Sequence, residues 1–412
     1  MRFVCLLMFV LSSAAHCLAD NWPDWRGPKL NSVVEGDYAT EWGEEKNIVW
    51  KVKVPGWGTS TPAIWEDHIF LTAADKKNLL LCMNRKGEEQ WKVELGDPPR
   101  NRNRKASAAN PSPVTDGSHV FVYFKNGDAA CVDMKGNKVW SVNLVEKYGQ
   151  VKMNWDLGSS PVLTEKLVIF AVMHQGPSYL VALNKTDGEV AWKQDRDLGA
   201  PSESQDSYTT PLVLKKDDAE IVIVLGADHV TAHNAADGKE LWRAGGLNPS
   251  GRRNFRSISS PVLAGDLVLA PYARGETLTA VQMGGSGDVT KSHVKWTAER
   301  AAADVPTPIA VGDKAYCCTD RGDVHCIDLK SGDIVWSERL PRNRYPYSSS
   351  PVYVDGKIYS TREDGTTFVL KVGARPELVA TNELRENTYA TPAFADGKIY
   401  LRTSDYLFCI GK

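Results

Sequence analysis

Residues 159–192 read SSPVLTEKLVIFAVMHQGPSYLVALNKTDGEVAW, and this stretch decides the fold. It contains four short runs rich in β-branched and aromatic residues, and residues typical of turns separate the runs. The pair Asp187-Gly188 supplies the positive φ that a tight turn between the third and fourth runs requires. The stretch therefore predicts one unit of four antiparallel strands, which we call A, B, C and D in chain order.

The same unit recurs along the whole chain. Each copy begins with Ser or Thr, then Pro, then an aliphatic residue, at intervals of 41–51 residues. The eight prolines are Pro62, Pro113, Pro161, Pro211, Pro261, Pro308, Pro351 and Pro392. Four-stranded units with this period are typical of propeller blades, so the sequence predicts an all-β, eight-bladed β-propeller of four-stranded antiparallel blades. No 3.6-residue period is sustained, which argues against a helical solenoid.

The two ends of the chain complement each other. The last unit stops after its strand C at residues 406–410, and a run that resembles strand D precedes the first unit at residues 47–52. Pairing of these runs would close the ring and cover both open edges. We therefore predict a propeller at residues 47–412. Residues 20–46, which carry three Trp, are predicted to form an N-terminal extension that packs on the propeller.

The first residues have the pattern of a secretory signal peptide. Residues 3–11 are apolar, follow Arg2 and precede small residues, and they are too few to span a membrane. We predict cleavage after Ala19, hence a signal peptide at 1–19 and a secreted or periplasmic protein without a transmembrane segment. A lipoprotein site at Cys17 is the alternative. The 49 basic and 51 acidic residues nearly balance, which argues against a nucleic-acid partner.

Two residue series have an architectural interpretation. Proline removes a donor from the innermost strand, whose edge faces the channel, and the Ser or Thr hydroxyl before it can bond a nearby backbone group. The alternative is a ligand ringed by the eight hydroxyls. A Trp series in strand D recurs in phase, and we predict that these rings dock neighbouring blades. Its members are Trp50, Trp91, Trp140, Trp192, Trp242, Trp296 and Trp336, and Ala380 occupies the eighth position.

Six cysteines follow the predicted signal peptide. Four of them occupy one repeated position in strand C, as small buried residues: Cys82, Cys131, Cys326 and Cys409. If the hairpin of blade 6 turns at residues 321–322, Cys317 lies opposite Cys326. A disulfide at that position, or a vicinal one between Cys317 and Cys318, stays open because geometry decides it. No metal-ligand spacing occurs, so no metal site is predicted.

Arginines and aromatic residues concentrate in the loops that lead from strand D to the next strand A. Arginine binds carboxylates through two parallel hydrogen bonds, and aromatic rings stack on flat ligands, so these loops predict an anion-binding site. In the alternative, the arginines are solvated and pair with Asp156, Asp206 or Glu386. The candidate ligand-binding residues are Arg102, Arg104, Arg253, Arg256, Arg342, Arg344, Trp57, Trp155, Tyr208 and Tyr347.

Several units resemble the repeat of the quinoprotein-type propellers. The segments 179–192, 231–242 and 326–336 each show an aliphatic strand, an Asp or Asn, a turn with Gly, and a strand that contains Trp. The resemblance extends over residues 47–412. It differs from the WD40 repeat, in which Asp follows the Trp. The N-terminal segment 22–28, WPDWRGP, is similar to that of secreted bacterial PQQ-binding-like members of the family.

This resemblance implies two classes of function. The family contains dehydrogenases that use pyrroloquinoline quinone (PQQ), and non-enzymatic periplasmic scaffolds such as BamB, which binds partner proteins. Likeness of fold does not transfer chemistry. We expect a BamB-like binding or scaffold protein of the cell envelope, without catalytic residues, that binds a protein or a small anionic ligand on its loop face. The alternative is a dehydrogenase that binds PQQ and Ca²⁺ and oxidises an alcohol or sugar, with Asp156, Asp206 or Asp304 as its candidate base.

Overall fold

The computed structural model describes residues 20–101, 103–216 and 218–412. The predicted signal peptide, its cleavage site and Cys17 lie outside the described residues, and so does Arg102. No helix in the described part of the chain is long and apolar enough to cross a membrane.

Eight antiparallel sheets of four main strands each form a ring, which confirms the predicted eight-bladed propeller. Blades 1 to 4 contain β3 (Ala63–Trp65), β4 (His68–Ala74), β5 (Asn78–Asn84) and β6 (Glu89–Leu95); β7 (Val114–Thr115), β8 (His119–Tyr123), β9 (Asp128–Asp133) and β10 (Lys138–Asn143); β11 (Val162–Leu163), β12 (Leu167–Val172), β13 (Tyr179–Asn184) and β14 (Val190–Asp195); β15 (Leu212–Lys216), β16 (Ala219–Gly226), β17 (His229–Asn234) and β18 (Glu240–Ala244).

The second half of the ring repeats this pattern. Blades 5 to 7 contain β19 (Val262–Ala264), β20 (Leu267–Tyr272), β21 (Thr277–Gln282) and β23 (Val294–Glu299); β24 (Ile309–Val311), β25 (Lys314–Cys318), β26 (Asp323–Asp328) and β27 (Ile334–Arg339); β28 (Val352–Val354), β29 (Lys357–Thr361), β30 (Thr366–Lys371) and β31 (Glu377–Glu383). Short elements in the connections are β22 (Gly287–Asp288), α1 (Leu144–Tyr148), α2 (Thr290–His293) and two 3₁₀ turns (Ser202–Gln205, Ala273–Gly275).

Blade 8 closes the ring with strands from both ends of the chain. It contains β32 (Ala393–Ala395), β33 (Lys398–Arg402) and β34 (Tyr406–Ile410), and β2 (Ile48–Lys53) pairs antiparallel with β34 as its strand D. Trp50 lies opposite Cys409 in this pairing. The predicted closure by the N-terminal strand is therefore confirmed. The edges of β2 and β34 that face each other are joined by hydrogen bonds, so neither is left unpaired.

The strand D tryptophans lie between neighbouring blades. The Trp91 indole N–H donates to the Met134 carbonyl in the C–D turn of the next blade, at 3.0 Å. A Cβ on Gly136 in that turn would stand 2.9 Å from the Trp91 ring, so glycine lets the ring approach the backbone closely. Opposite the ring in its own blade lies the small Cys82 of strand C. The same indole bond is made by Trp50, Trp91, Trp140, Trp192, Trp296 and Trp336, and Trp242 is buried at the equivalent position.

Blade 7 lacks this tryptophan, and the N-terminal extension places an aromatic ring nearby. Ala380 lies opposite Val369 at the repeated position. The backbone N–H of Trp42 donates to Asn382 Oδ1 at 2.9 Å, two residues along the same strand. The Trp42 ring stacks on Tyr359 of blade 7 with centroids 6.2 Å apart. Trp42 and Ala380 therefore pack in one apolar cluster with blades 7, 8 and 1.

Residues 20–34 cross the central channel on the A strands. Trp22 is fully buried and pairs with Ile64 of blade 1. The Arg26 guanidinium donates to the Pro308 carbonyl of blade 6 at 2.8 Å. The strand β1 (Val33–Val34) then pairs in parallel with β28 of blade 7. The extension thus satisfies inner-edge backbone groups that would otherwise face the channel.

The cysteine register of blade 6 differs from the prediction. Thr319 and Asp323 face each other across the hairpin, because the Thr319 N–H donates to the Asp323 carbonyl at 2.8 Å. This turn puts Cys317 opposite His325, and Cys326 opposite Tyr316. The register that would place Cys317 opposite Cys326 is therefore not the one observed, and the two side chains point to opposite faces of the sheet. All six cysteines in the described residues are buried free thiols.

Candidate functional site

A closed circle of hydrogen bonds surrounds the propeller axis. The backbone N–H of each Ser or Thr that precedes a strand A proline donates to the equivalent hydroxyl of the next blade, at 2.9–3.2 Å. The last bond joins Thr391 of blade 8 to Thr61 of blade 1 and closes the circle. We call this set the hydroxyl ring: Thr61, Ser112, Ser160, Thr210, Ser260, Thr307, Ser350 and Thr391.

The hydroxyl ring lines an axial cavity of about 430 Å³, a size within the usual range of ligand pockets. The D–A loops of the blades form its walls, with two B–C turns that contribute Asp320 and Glu363. Trp25 of the N-terminal extension also lines the cavity. The extension bonds to the A strands beyond the ring, on the side away from the D–A and B–C loops, whose face we call the loop face.

Arg256 is the one candidate arginine in the described residues that lines the cavity. Its side chain is 7% exposed, and its Nη2 donates to Asp304 Oδ2 at 2.9 Å. Its Nε lies 3.8 Å from Glu203 Oε1. The half-exposed Trp155 ring covers the guanidinium at 5.8 Å and donates its indole N–H to Glu203 at 3.0 Å. Arg256 is thus held by two carboxylates and an aromatic ring.

The other charged side chains in and next to the cavity wall also have partners within the protein, either opposite charges or hydrogen-bond donors. Lys105 Nζ lies 2.8 Å from Glu363 Oε2, and Lys125 pairs with the buried Asp156. Asp320 accepts the backbone N–H groups of residues 304 and 305, and burial raises the pKa of its carboxyl. Burial likewise raises the pKa of Asp206, which accepts from Gln175 Nε2 at 3.0 Å.

Two of the three acids named in the alternative interpretation of the loop arginines have other partners in the structure. Glu386 pairs with Lys51 at 3.1 Å, and the partners of Asp206 are amides, so neither pairs with the predicted arginines. The acid that holds Arg256 is Asp304, from the D–A loop of the next blade.

The other candidate residues separate into two groups. Tyr208 and Tyr347 are buried and line the cavity with Trp155, whereas Trp57 lies beside Tyr389 outside the cavity wall. Four candidate arginines are exposed on the loop face and do not line the cavity: Arg104, Arg253, Arg342 and Arg344.

These exposed arginines belong to a larger set. Arg100 and Arg252, on the same loops, are exposed as well. None of the six pairs with a carboxylate of residues 20–101, 103–216 or 218–412. We call the set the arginine rim: Arg100, Arg104, Arg252, Arg253, Arg342 and Arg344. Each loop of the rim is continuous with residues that line the cavity, so the rim surrounds the cavity mouth from three sides.

Sequence reasoning missed some of the cavity residues. Lys105, Glu363 and Asp320 line the cavity but carry no repeated or motif-like signal. In the sequence, Trp25 is one of three Trp in the extension, and no motif marks it as a cavity residue. The hydroxyl ring was visible in the Ser/Thr-Pro repeat, and its bond between blades could be found only once neighbouring blades were placed side by side.

The chain matches the family described as outer membrane protein assembly factor BamB, over residues 29–179 and 77–338. The longer match alone covers more than half of the chain. The chain belongs to the BamB family. BamB of Yersinia pestis is 23% identical over 301 residues, which are 71% of this chain and 71% of that protein.

Solved structures share the fold with the chain. BamB from Moraxella catarrhalis superposes with a TM-score of 0.63 and 14% identity, over 89% of this chain and 97% of that chain. A europium-containing methanol dehydrogenase superposes with a TM-score of 0.68 and 11% identity, over 93% of this chain and 89% of that chain. At these identities, the likeness shows the propeller fold alone.

The cavity of this BamB family member does not fit PQQ with Ca²⁺. PQQ carries three carboxylates that need free cations, yet Arg256 and Lys105 are already paired with carboxylates of the protein. Ca²⁺ needs six to eight oxygen ligands. In the described part of the chain, no group of three or more His, Cys, Asp or Glu side chains could hold a metal ion. The described residues thus offer the cofactor no cation that is free of a protein carboxylate and no acidic cluster for Ca²⁺, although Arg256 Nε and Nη1 make no hydrogen bond.

Proposed function

We propose that this protein is a non-enzymatic docking protein of the bacterial cell envelope, and that it binds a protein partner on its loop face. Membership of the BamB family supports a role in the envelope, since BamB is named for outer membrane protein assembly. The predicted signal peptide, cleaved after Ala19, would deliver the chain to the periplasm or beyond.

The observation that carries the proposal is that the rim arginines are exposed and lie outside the cavity wall. A small anion held in the cavity would be bound by arginines that point inward. Instead, the six arginines of the rim are exposed, do not line the cavity, and pair with no carboxylate of the described residues. Exposed functional side chains on loops of a rigid scaffold are typical of a surface that recognises another macromolecule. The proposal therefore assigns the loop face to a protein rather than to a cofactor.

Site-specific photo-crosslinking in intact cells tests the proposal. A photoreactive amino acid replaces Asn254 or Asn343 on the loop face, or Ser331 in a C–D turn on the opposite face as the matched control. All three positions are exposed or lie in an exposed turn. We expect a discrete crosslinked protein from the two loop-face positions and none from Ser331. Adducts formed from Ser331 alone would overturn the assignment of the face.

A turnover assay tests the non-enzymatic part of the proposal. Mature protein is incubated with PQQ, Ca²⁺, an electron-accepting dye and a panel of alcohols and sugars. We expect no reduction of the dye above the level seen with heat-unfolded protein. Substrate-dependent reduction would overturn the proposal and restore the dehydrogenase alternative.

A further inference from the structure

The arginine rim has a composition that points to the kind of partner. Its loops read Arg100-Asn-Arg-Asn-Arg104, Arg252-Arg-Asn254 and Arg342-Asn-Arg344, so each of the three combines at least two arginines with asparagine. The chain as a whole carries a net charge of −2, so the rim is a local excess of positive charge. Guanidinium groups on such loops recognise carboxylates through paired hydrogen bonds.

The shape behind the rim favours a protruding ligand over a flat surface. The rim surrounds a cavity of about 430 Å³, with the half-exposed Trp155 at its mouth. A flat surface that contacted all three rim loops would leave this cavity empty. An extended segment of a partner protein would fill it, and Trp155 would offer the segment apolar contact area.

The hydroxyl ring offers such a segment hydrogen-bond donors. Each hydroxyl oxygen in the ring accepts a backbone N–H, so its own hydrogen is left to donate. Among the residues that the structure describes, none accepts a hydrogen bond from these eight hydroxyls. The hydroxyls line the cavity, and the carboxylates in the cavity wall are engaged by Lys105, Lys125 and backbone N–H groups. A ligand that brings acceptor oxygens would complete this arrangement.

From these observations we infer that the partner presents an acidic extended segment, which lies between the three loops of the arginine rim and inserts its tip into the axial cavity. The inference rests on the proposed docking at the loop face and adds the chemistry of the partner. Side-chain carboxylates of the segment pair with the rim arginines. Oxygen atoms at the tip accept hydrogen bonds from the hydroxyl ring, which lies deeper in the cavity.

A binding experiment tests the charge requirement. The probe is a fluorescein-labelled twelve-residue peptide of alternating Glu and Gly, and its counterpart has Gln in place of Glu. Anisotropy is measured with mature protein at low and high salt. We expect saturable binding of the Glu peptide, weaker at high salt because exposed charges are screened, and no binding of the Gln peptide. Equal binding of both peptides would overturn the acidic requirement.

Variants locate the binding site. The rim variant combines Arg253→Ser, Arg342→Ser and Arg344→Ser. The matched control, Lys135→Ser, Lys330→Ser and Arg375→Ser, removes three exposed cations from C–D turns on the opposite face. We expect about tenfold weaker binding to the rim variant, as expected for the loss of three exposed ion pairs, and no change in the control. Equal weakening in both would mean nonspecific attraction and would overturn the inference.

A single engineered cysteine tests whether the tip enters the cavity. Ala106 lines the cavity and is half-buried, and the six cysteines of the described chain are buried, so a thiol reagent would label Ala106→Cys selectively. Saturating Glu peptide should slow this labelling several-fold and leave a control Ser331→Cys unaffected. Binding without protection of Ala106→Cys would overturn insertion into the cavity.

Two further outcomes separate this inference from the proposed function. If loop-face crosslinks form in cells but the Glu peptide does not bind, the inference of an acidic segment is wrong, whereas the proposed docking at the loop face stands. If vesicles of anionic lipid, or free succinate, protect Ala106→Cys at concentrations where the Glu peptide does not, the ligand is a lipid surface or a small carboxylate, and the inference fails.

Discussion

Replacement of Thr210 by valine would break one link of the hydroxyl ring with little change in side-chain shape. Thr210 is 6% exposed, and its hydroxyl accepts the backbone N–H of Ser160 at 3.0 Å. Thr210→Val leaves that N–H without its acceptor at a buried position, which costs about 1–3 kcal/mol. The variant Thr210→Ser keeps the hydroxyl and is the matched control. The link between blades 3 and 4 is thus removed in one variant and kept in the other.

The expected shift in melting temperature follows from the length of the domain. An unfolding entropy of about 2.1 cal/mol/K per residue gives roughly 0.8 kcal/mol/K for a propeller of this length. A loss of about 2 kcal/mol therefore lowers the melting temperature by about 2–3 °C. Differential scanning calorimetry resolves this difference between Thr210→Val and Thr210→Ser. Equal melting temperatures for the two variants would refute a stabilising role of the hydroxyl ring.

Two other features of the structure give testable effects on stability. Gly238 has a φ of +75°, and a Cβ there would lie 2.5 Å from the Trp192 ring, whereas Gly265 has a φ of +60° and open space around it. Gly238→Ala should therefore destabilise the protein by about 1–3 kcal/mol more than Gly265→Ala, as measured by urea unfolding. Burial lowers the pKa of His233 to about 4, so the folded state favours the neutral imidazole. The free energy of unfolding should be largest above pH 6.5 and fall by about 2–3 kcal/mol as the pH decreases to 4, and urea midpoints of His233→Gln should lack this component of the slope.

The blade repeat could be predicted because its signals are local. The run at 179–192 shows strand C, the Asp187-Gly188 turn and the Trp192 strand within fourteen residues. Each signal acts on the backbone of its own segment, through turn conformation and β-propensity. Ring closure was predictable for a related reason, since an unpaired strand at each end of a chain of regular blades has one obvious partner.

The register of Cys317 could not be predicted in the same way. A shift of one residue in the blade 6 hairpin moves Cys317 from one face of the sheet to the other. The sequence Asp320-Arg321-Gly322 is compatible with more than one turn length, and the hydrogen bonds of Thr319 and Asp323 select the one observed. The hydrogen bonds within this turn therefore set the direction of the thiols.

In the candidate site, too, the residue types could be predicted from the sequence, whereas the side-chain directions could not. Arginines in the D–A loops were visible in the sequence, but whether a loop side chain points to the axis depends on the path of the loop. Arg256 turns inward because Asp304 of the next loop and the Trp155 ring hold it. Arg253, three residues earlier, has no such partners and is exposed. The sequence showed which residue types the loops contain. Contacts between loops decided which arginines line the cavity and which lie in the rim.

The number of blades, the order of their strands and the closure of the ring follow from local sequence signals, because strand alternation, turn residues and the repeat period act over short distances along the chain. The hydroxyl ring, the axial cavity and the position of the arginine rim outside the cavity wall emerge only in the folded protein. Each of these depends on atoms that are far apart in sequence: Thr391 donates to Thr61 across 330 residues. Such contacts form only when the closed ring brings the blades around one axis.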